Sequence, residues 1–526
     1  MPEYLSPGVY IEEFEIGAKP IEGVSTSTAG FLGRALRGPE EPRLITGFEQ
    51  FKRLYGSYMP IDDSNLAYAI DGFFTSGGQR CFVGRIVAQD SVTMTGDLDT
   101  VNISAIGPGL WGNRIALKIE AGSLQDATQA EPWARIKLTV MYWDVVPPTA
   151  PPVDPTKPAN ATNSNRREPV LLEVYDNLSS DPKSIDFFET RINKNSKLIR
   201  IRPLDPANPV NPAQRALDFV AGNGADGSAP GLNDYSGRML PPLPDGTVYR
   251  TGLAGFEEVD EISILCAPDH HKVPNLHQDL IAHCQRLKDR FAVLHSNPST
   301  DTLDTVPTLR PLQDTSYAAF YFPWIKIISP LTNQEIRIPP SGHVIGIYAD
   351  TDINRGVHKA PANAVVLGAT GLEFTITKGE QDLLNPRGVN CLRAFPGRGI
   401  RVWGARTSST NTLWKYINVR RLFIFIEESI EEGTQWVVFE PNDQKLWARV
   451  RQTITQFLTT VWRNGALMGT KAEEAFFVKC DRTTMTQDDI DNGRLICIIG
   501  IAPVKPAEFV IFRITQFSGG SEIEEL

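Results

Sequence analysis

The chain lacks the means to cross a membrane by itself. Its apolar runs, such as 422–426 and 495–499, fall far short of the ~20 residues that span a bilayer. The opening MPEYLSPGVYIEEF has no basic-then-apolar order of a signal peptide. No direct membrane insertion is therefore expected, and the chain is expected to be made and kept in the cytosol unless a larger assembly carries it out. Cysteine is sparse as well. Cys81, Cys266, Cys284, Cys391, Cys480 and Cys497 include no C-x-x-C pair, which argues for buried thiols in a reducing compartment and against a disulfide framework. An excess of positive charge is also missing. The formal net charge is −10, so nucleic acid is not expected as a partner, because phosphate binding needs a basic surface.

What is present points to several domains. A length of 526 residues exceeds what one core can bury, and 42 Gly with 39 Pro favour turns over long helices. After a short strand pattern at 9–14 and a polar, glycine-containing stretch at 17–27, a strand is read at 29–32. Helices follow at 48–55 and 66–75, then a buried strand at 81–87. Between 93 and 245 the pattern turns to alternating strands at 114–120, 134–142 and 169–175. They are interrupted by PPTAPPVDPTKPANATNSN, which cannot bury a core and reads as a mobile loop. From 256 onward, strands at 262–267, 291–295 and 317–327 surround a helix at 274–287, which predicts a parallel α/β layer. The longest helical patterns lie at 419–432, ending on Gly433, and from Asn442 or Asp443 as N-cap to Arg463. A strand is read between them at 436–439. The apolar stripe of the second helix is Leu446, Val450, Ile454, Phe457 and Val461.

Motifs of chemistry are matched only in part. Gly107-Pro108-Gly109-Leu110-Trp111-Gly112 fits G-x-G-x-x-G, but a strand pattern follows where a phosphate-binding helix would start. Asp350 to Gly356 resembles a calcium loop with its glycine displaced and Pro361 where a bidentate Glu belongs. Asp269-His270-His271 with His277 and His283 is the histidine cluster; adjacent histidines on a turn point different ways, so surface histidines are expected and no metal site. No catalytic residue and no cofactor are expected. An α/β metal- or nucleotide-dependent enzyme built on the 256–365 layer is the rival reading.

Two features point to assembly instead. Strand-like segments stand at both ends, Val9, Tyr10, Ile11 and Glu12 at one and Phe509, Val510, Ile511, Phe512 and Ile514 at the other. The second follows a tether stiffened by Pro503 and Pro506. An isolated strand must add to a sheet edge, in its own subunit or in a neighbour. The second feature is charge placement. No acid occurs from 383 to 426, and Lys445, Arg449 and Arg463 lie on the long helix away from its apolar stripe. This is a solvated face or a surface for an acidic partner.

The wording of several segments then becomes recognisable. Leu384-Asn385-Pro386-Arg387-Gly388-Val389-Asn390, the following FPGRGIRVWGART (395–407), Tyr416-Ile417-Asn418-Val419-Arg420-Arg421 and WVVFEPNDQKLWAR (436–449) resemble the signature of contractile tail sheath proteins. Pro339-Pro340-Ser341-Gly342-His343, Arg355-Gly356-Val357, Lys359-Ala360-Pro361-Ala362-Asn363 and the early SPGVYIEE fit it too. The resemblance leaves only about 93–245 without counterparts.

It implies an α+β or α/β multidomain fold, with an inner α/β domain built from both chain ends and an inserted β-rich outer domain. The corresponding division is an exchanged arm at 1–27, inner domain at 28–92 and 366–501, insertion at 93–245, α/β middle domain at 246–365 and a second exchanged arm at 502–526. It further implies a helical homopolymer of stacked six-fold rings around an inner tube, with baseplate and terminal cap proteins as further partners, and sheath paralogues in particles that carry them. Subunits would exchange the strands named above, Lys445, Arg449 and Arg463 would meet acidic tube residues, and the tethers at 16–27 and 502–507 would absorb the motion of contraction. Assembly in a bacterial cytoplasm, as part of a phage tail or of a released or anchored injection particle, completes the expectation. The wording GIRVWGART looks closest to the extracellular injection type.

Overall fold

The computed structural model describes residues 20–124, 135–242 and 246–513. Val9, Tyr10, Ile11, Glu12 and Ile514 lie outside them. The first described elements are β1 (Ala29–Gly33), β2 (Arg43–Ile45), the helices Phe48–Tyr55 and Leu66–Thr75, and β3 (Cys81–Arg85). All five residues of β1 are buried, as a near-continuous apolar run in a two-faced parallel sheet must be.

The next stretch is the β-rich insertion, with β4 (Thr95–Leu98), β5 (Val101–Ala105), β6 (Ile115–Ala121), β7 (Ile136–Tyr142), β8 (Leu171–Leu178), β9 (Ile199–Pro203) and β10 (Arg215–Phe219). They pair antiparallel in two sheets, ordered β10-β6-β7-β8 and β4-β5-β9. Alternate residues Val101 and Ile103, Leu117 and Ile119, and Leu138 and Val140 fill a core of their own. The glycines at 107–109 lead into a short 3-10 turn and then β6, a strand-to-strand connection. The proline-rich stretch that reads as mobile is fastened: the buried Asp154 carboxylate pairs with Lys118 at 3.1 Å and accepts from Thr156.

Beyond the insertion come β11 (Ile264–Cys266), the helix Leu276–Leu287, β12 (Phe291–His295), β13 (Ala318–Phe322), β14 (Ile325–Ile328), β15 (Glu335–Ile338), the helix Ser341–Arg355, β16 (Gly371–Leu372), β17 (Val389–Phe395) and β18 (Gly399–Val402). The single strand expected at 317–327 is two. Pro323 has no N–H for the ladder, and after it β14 leaves to pair with β15 and β16. The calcium-like 350–356 is the last turn of the helix Ser341–Arg355, closed by Gly356 at φ 89.

One sheet of eight strands organises the middle of the molecule, in the order β18-β17-β13-β12-β11-β1-β3-β2. Pairing is parallel from β17 to β3 and antiparallel at the two edges. Leu66–Thr75 and Ser341–Arg355 cover one face, and Leu276–Leu287 covers the other. The first two helices approach backbone to backbone: a Cβ on Gly342 would sit 2.2 Å from the Ala69 carbonyl oxygen, so only glycine fits there.

This sheet redraws the division made from sequence. Residues 28–92 supply β1 between β11 and β3, so they belong to the middle layer and not with the helical unit that follows β18. The middle layer likewise takes in β17 and β18, beyond the expected boundary at 365. What joins the C-terminal part from the chain's start is the short stretch 20–26. Ile21 packs into its core, the Val24 N–H donates to Ser429, and Arg421 donates to the Thr26 carbonyl.

Candidate assembly surfaces

The C-terminal unit is built on two helices, Ile417–Gly433 and Gln444–Arg463, with β19 (Phe476–Lys479) and β20 (Ile498–Ile501) beside them. Asp443 is the N-cap of the second helix, its carboxylate accepting from the Leu446 N–H at 2.8 Å. Leu446, Val450, Ile454, Phe457 and Val461 are all buried, as the 3.6-residue period requires. Gly433 ends the first helix for a different reason than a left-handed cap. It lies inside the helix, and a Cβ there would collide with Ile21. The strand expected at 436–439 is a 3-10 turn, Gln435–Val437, and a tip on which Phe439 adopts φ +67 and is fully exposed.

The exposed side of Gln444–Arg463 carries Lys445, Arg449, Gln452, Gln456 and Arg463. An open concavity runs along it, lined by Ala448, Arg451, Gln452, Thr455 and Gln456. The Arg449 guanidinium lies 4.5 Å from the ring centre of Trp436, which holds it near the surface of its own chain. Neither Lys445 nor Arg463 has an ion-pair partner among the described residues.

The acid-free stretch from 383 to 426 is mostly not an open basic surface. Arg421 is buried against Asp352 at 2.7 Å. Arg420 is buried with its guanidinium 3.6 Å from the Trp414 ring centre. Arg401 donates to the Asn363 carbonyl, and Arg393 to Gln381. These side chains are spent on their own chain, on a carboxylate, an aromatic ring, a backbone carbonyl and an amide oxygen.

Arg406 has the most consequential partner. It meets Glu508 with two parallel hydrogen bonds, at 2.7 and 2.8 Å, and Asn385 and Tyr416 donate to the same carboxylate. Burial raises the cost of that charge, yet these donors outweigh it and hold the Glu508 pKa below its ordinary value. Upstream, Ala502 and Val504 donate to the Ala475 and Ala466 carbonyls. Residues 502–508, expected as a loose tether, are therefore docked. Directly after the clasp, Phe509, Val510, Ile511 and Phe512 are 70, 69, 80 and 83% exposed and belong to no strand.

Two of the four histidines expected at the surface are inside, while His271 and His277 are partly exposed. His270 and His283 are buried, and so is His295; the turn after β11 folds back over the end of β12. His270, His271 and His295 come together, while His277 and His283 sit on the helix Leu276–Leu287.

Comparison with known proteins fits this architecture. Residues 244–408 match the phage tail sheath protein central domain, and residues 409–517 match the phage tail sheath C-terminal domain. Together they take in just over half of the chain, which belongs to the tail sheath protein family. The tail sheath protein of Burkholderia phage BcepMu is 29% identical over 160 residues, 29% of this chain and 34% of that protein. The tail sheath protein of Escherichia phage P2 is 30% identical over 179 residues, 33% of this chain and 43% of that protein. The chain thus aligns with less than half the length of these relatives.

In structure, the contracted helical sheath of the anti-feeding prophage superposes with a TM-score of 0.56 at 24% identity, covering 98% of this chain and 100% of that one. A sheath tail protein from Listeria innocua gives 0.59 at 12% identity, covering 92% and 97%. The fold is a sheath fold throughout. No helix among the described residues is long and apolar enough to cross a membrane.

Proposed function

We propose that this chain is the subunit of a contractile sheath, polymerising as stacked six-fold rings around an inner tube and shortening to drive that tube through a target envelope. The role is mechanical, with no catalytic step. The observation that carries the reading is the run Phe509–Phe512. A soluble subunit does not hold four consecutive large apolar residues in water without a use for them. Their backbone has strand partners to gain, and addition to a neighbour's sheet supplies both needs. Two-stranded sheets are marginal alone, and β19 with β20 offers edges for such addition. Phe509, Val510, Ile511, Phe512 and Ile514, together with Val9, Tyr10, Ile11 and Glu12 from the other end, are the exchanged residues of this proposal.

The tube side of the subunit is assigned to the helix Gln444–Arg463. Its exposed Lys445, Arg449 and Arg463 suit an acidic partner on a chain whose overall charge is negative. Baseplate and cap proteins would meet the terminal rings, assembly would take place in a bacterial cytoplasm, and the finished sheath would belong to a phage tail or an injection particle. Contraction is a rigid-body rearrangement of subunits between two packings, held together by the shared strands. Because 20–26 and 502–508 dock on their own chain, they are not assigned the role of sliding tethers. Reversing Lys445, Arg449 and Arg463 to Glu together tests the tube assignment. Tube-templated assembly should be lost with the monomer's melting temperature unchanged; normal assembly would remove the assignment.

A further inference from the structure

His270, His271 and His295 form a cluster that sheath assembly does not use. The two strands feeding it, β11 and β12, are parallel neighbours. His295 is the last residue of β12, and His270 and His271 stand on the 3-10 turn just after β11. All three therefore lie at or just beyond the carboxyl ends of parallel strands, where open α/β sheets place their ligand sites.

One ring nitrogen from each histidine lies within 4.8 Å of those of the other two. The rings are steeply inclined to one another, by 88° for His270 with His295 and 64° for His271 with His295, so they do not stack. His270 and His295 are 3% and 1% exposed. Among the described residues, neither nitrogen of His270 has a hydrogen-bond partner, and Nδ1 of His295 has none. The polar contact within the cluster is a single one, His295 Nε2 to His271 Nδ1 at 3.3 Å. Buried polar atoms left this way are costly and call for an explanation.

We propose that His270, His271 and His295 bind a divalent transition ion of the zinc class. Three imidazoles with a water in the fourth position is an arrangement that zinc favours. Drawing the nitrogens to the ~2.0–2.1 Å metal distance needs a small inward movement, which the half-buried His271 can supply from the rim. His271 also borders a cavity of about 430 Å³ shared with Asp62, Lys272 and Trp324, which gives the ion a path in and the water a place. Asp269, the neighbouring carboxylate, is committed to Asn65, Ser64 and Lys272 and is left outside the ligand set. The ion clamps the turn after β11 to the end of β12 and stiffens the middle of the large sheet.

The test uses tag-free, full-length protein stripped with a chelator and titrated with cobalt(II). The expected result is one equivalent bound with the intense visible bands of four-coordinate cobalt, displaced by one equivalent of zinc, and a raised melting temperature with either ion. His271→Ala should bind at least tenfold more weakly while keeping the wild-type melting temperature without metal. His277→Ala, outside the cluster, should behave as wild type. Stripped wild type that takes up no stoichiometric cobalt overturns the proposal, as does a His271→Ala variant that binds equally well.

Discussion

In β11, β12 and β13 every residue is buried, whereas β19 leaves Phe477 and β20 leaves Ile498 about half exposed. The eight-stranded sheet is covered on both faces and its edge strands are short. The C-terminal unit ends in a two-stranded ribbon, an apolar tip at Phe439 and the exposed run Phe509–Phe512. One region satisfies its own backbone and apolar surface; the other leaves both partly open. Under the proposed function, stability and assembly would lie in different parts of one chain, and substitutions in the two should fail in different ways.

The largest expected effect lies at the seam between them. Asp352→Ala would leave the Arg421 guanidinium buried without its carboxylate, at a cost of about 3–5 kcal/mol. Denaturant unfolding of the monomer should show it. A loss under about 1 kcal/mol would mean the two regions are not held together by this pair.

Glu508→Gln is milder, removing the charge from the clasp at about 1–2 kcal/mol. It should raise hydrogen exchange across 502–508 and leave global unfolding little changed. Because the Glu508 pKa is lowered in the fold, its stabilisation is full above the ordinary carboxylate value, ~4.3, and is lost as pH falls through the lowered value. Wild type and Glu508→Gln should therefore differ in exchange across 502–508 at pH 7 and converge only once pH has fallen below that lowered value. The smallest effect is Asp443→Ala, about 1 kcal/mol from one helix cap, read as a shift in thermal midpoint.

Much of this was legible in the sequence, for physical reasons that can be named. The long helix was readable from Asp443 to Arg463 because its cap, apolar period and stop are all local. The helices Phe48–Tyr55 and Leu66–Thr75 were readable in the same way. The run 436–439 was misread because its β-favouring residues serve a tip between two helices, where the turn overrides propensity. Residues 28–92 were placed with the wrong partner because sheet order is set by long-range pairing that no local pattern carries.

The same limit hid the site residues. Glu508 and Arg406 are 102 positions apart, and the only local sign was a run of arginines with no acid of its own. His295 lies 24 positions from His271, joined to it only by the parallel alignment of two strands. The strand pattern read at 509–512 has no strand partner among the described residues, and Val9, Tyr10, Ile11, Glu12 and Ile514 lie outside them.

The deciding measurement is electron microscopy of purified protein ending at Glu508, beside the full-length chain. The account expects striated hollow cylinders from the full chain, and a folded monomer with unchanged melting temperature and no cylinders from the shortened one. Cylinders of normal form from the shortened chain would contradict it, since the subunits would then be joined without the ribbon that follows the clasp.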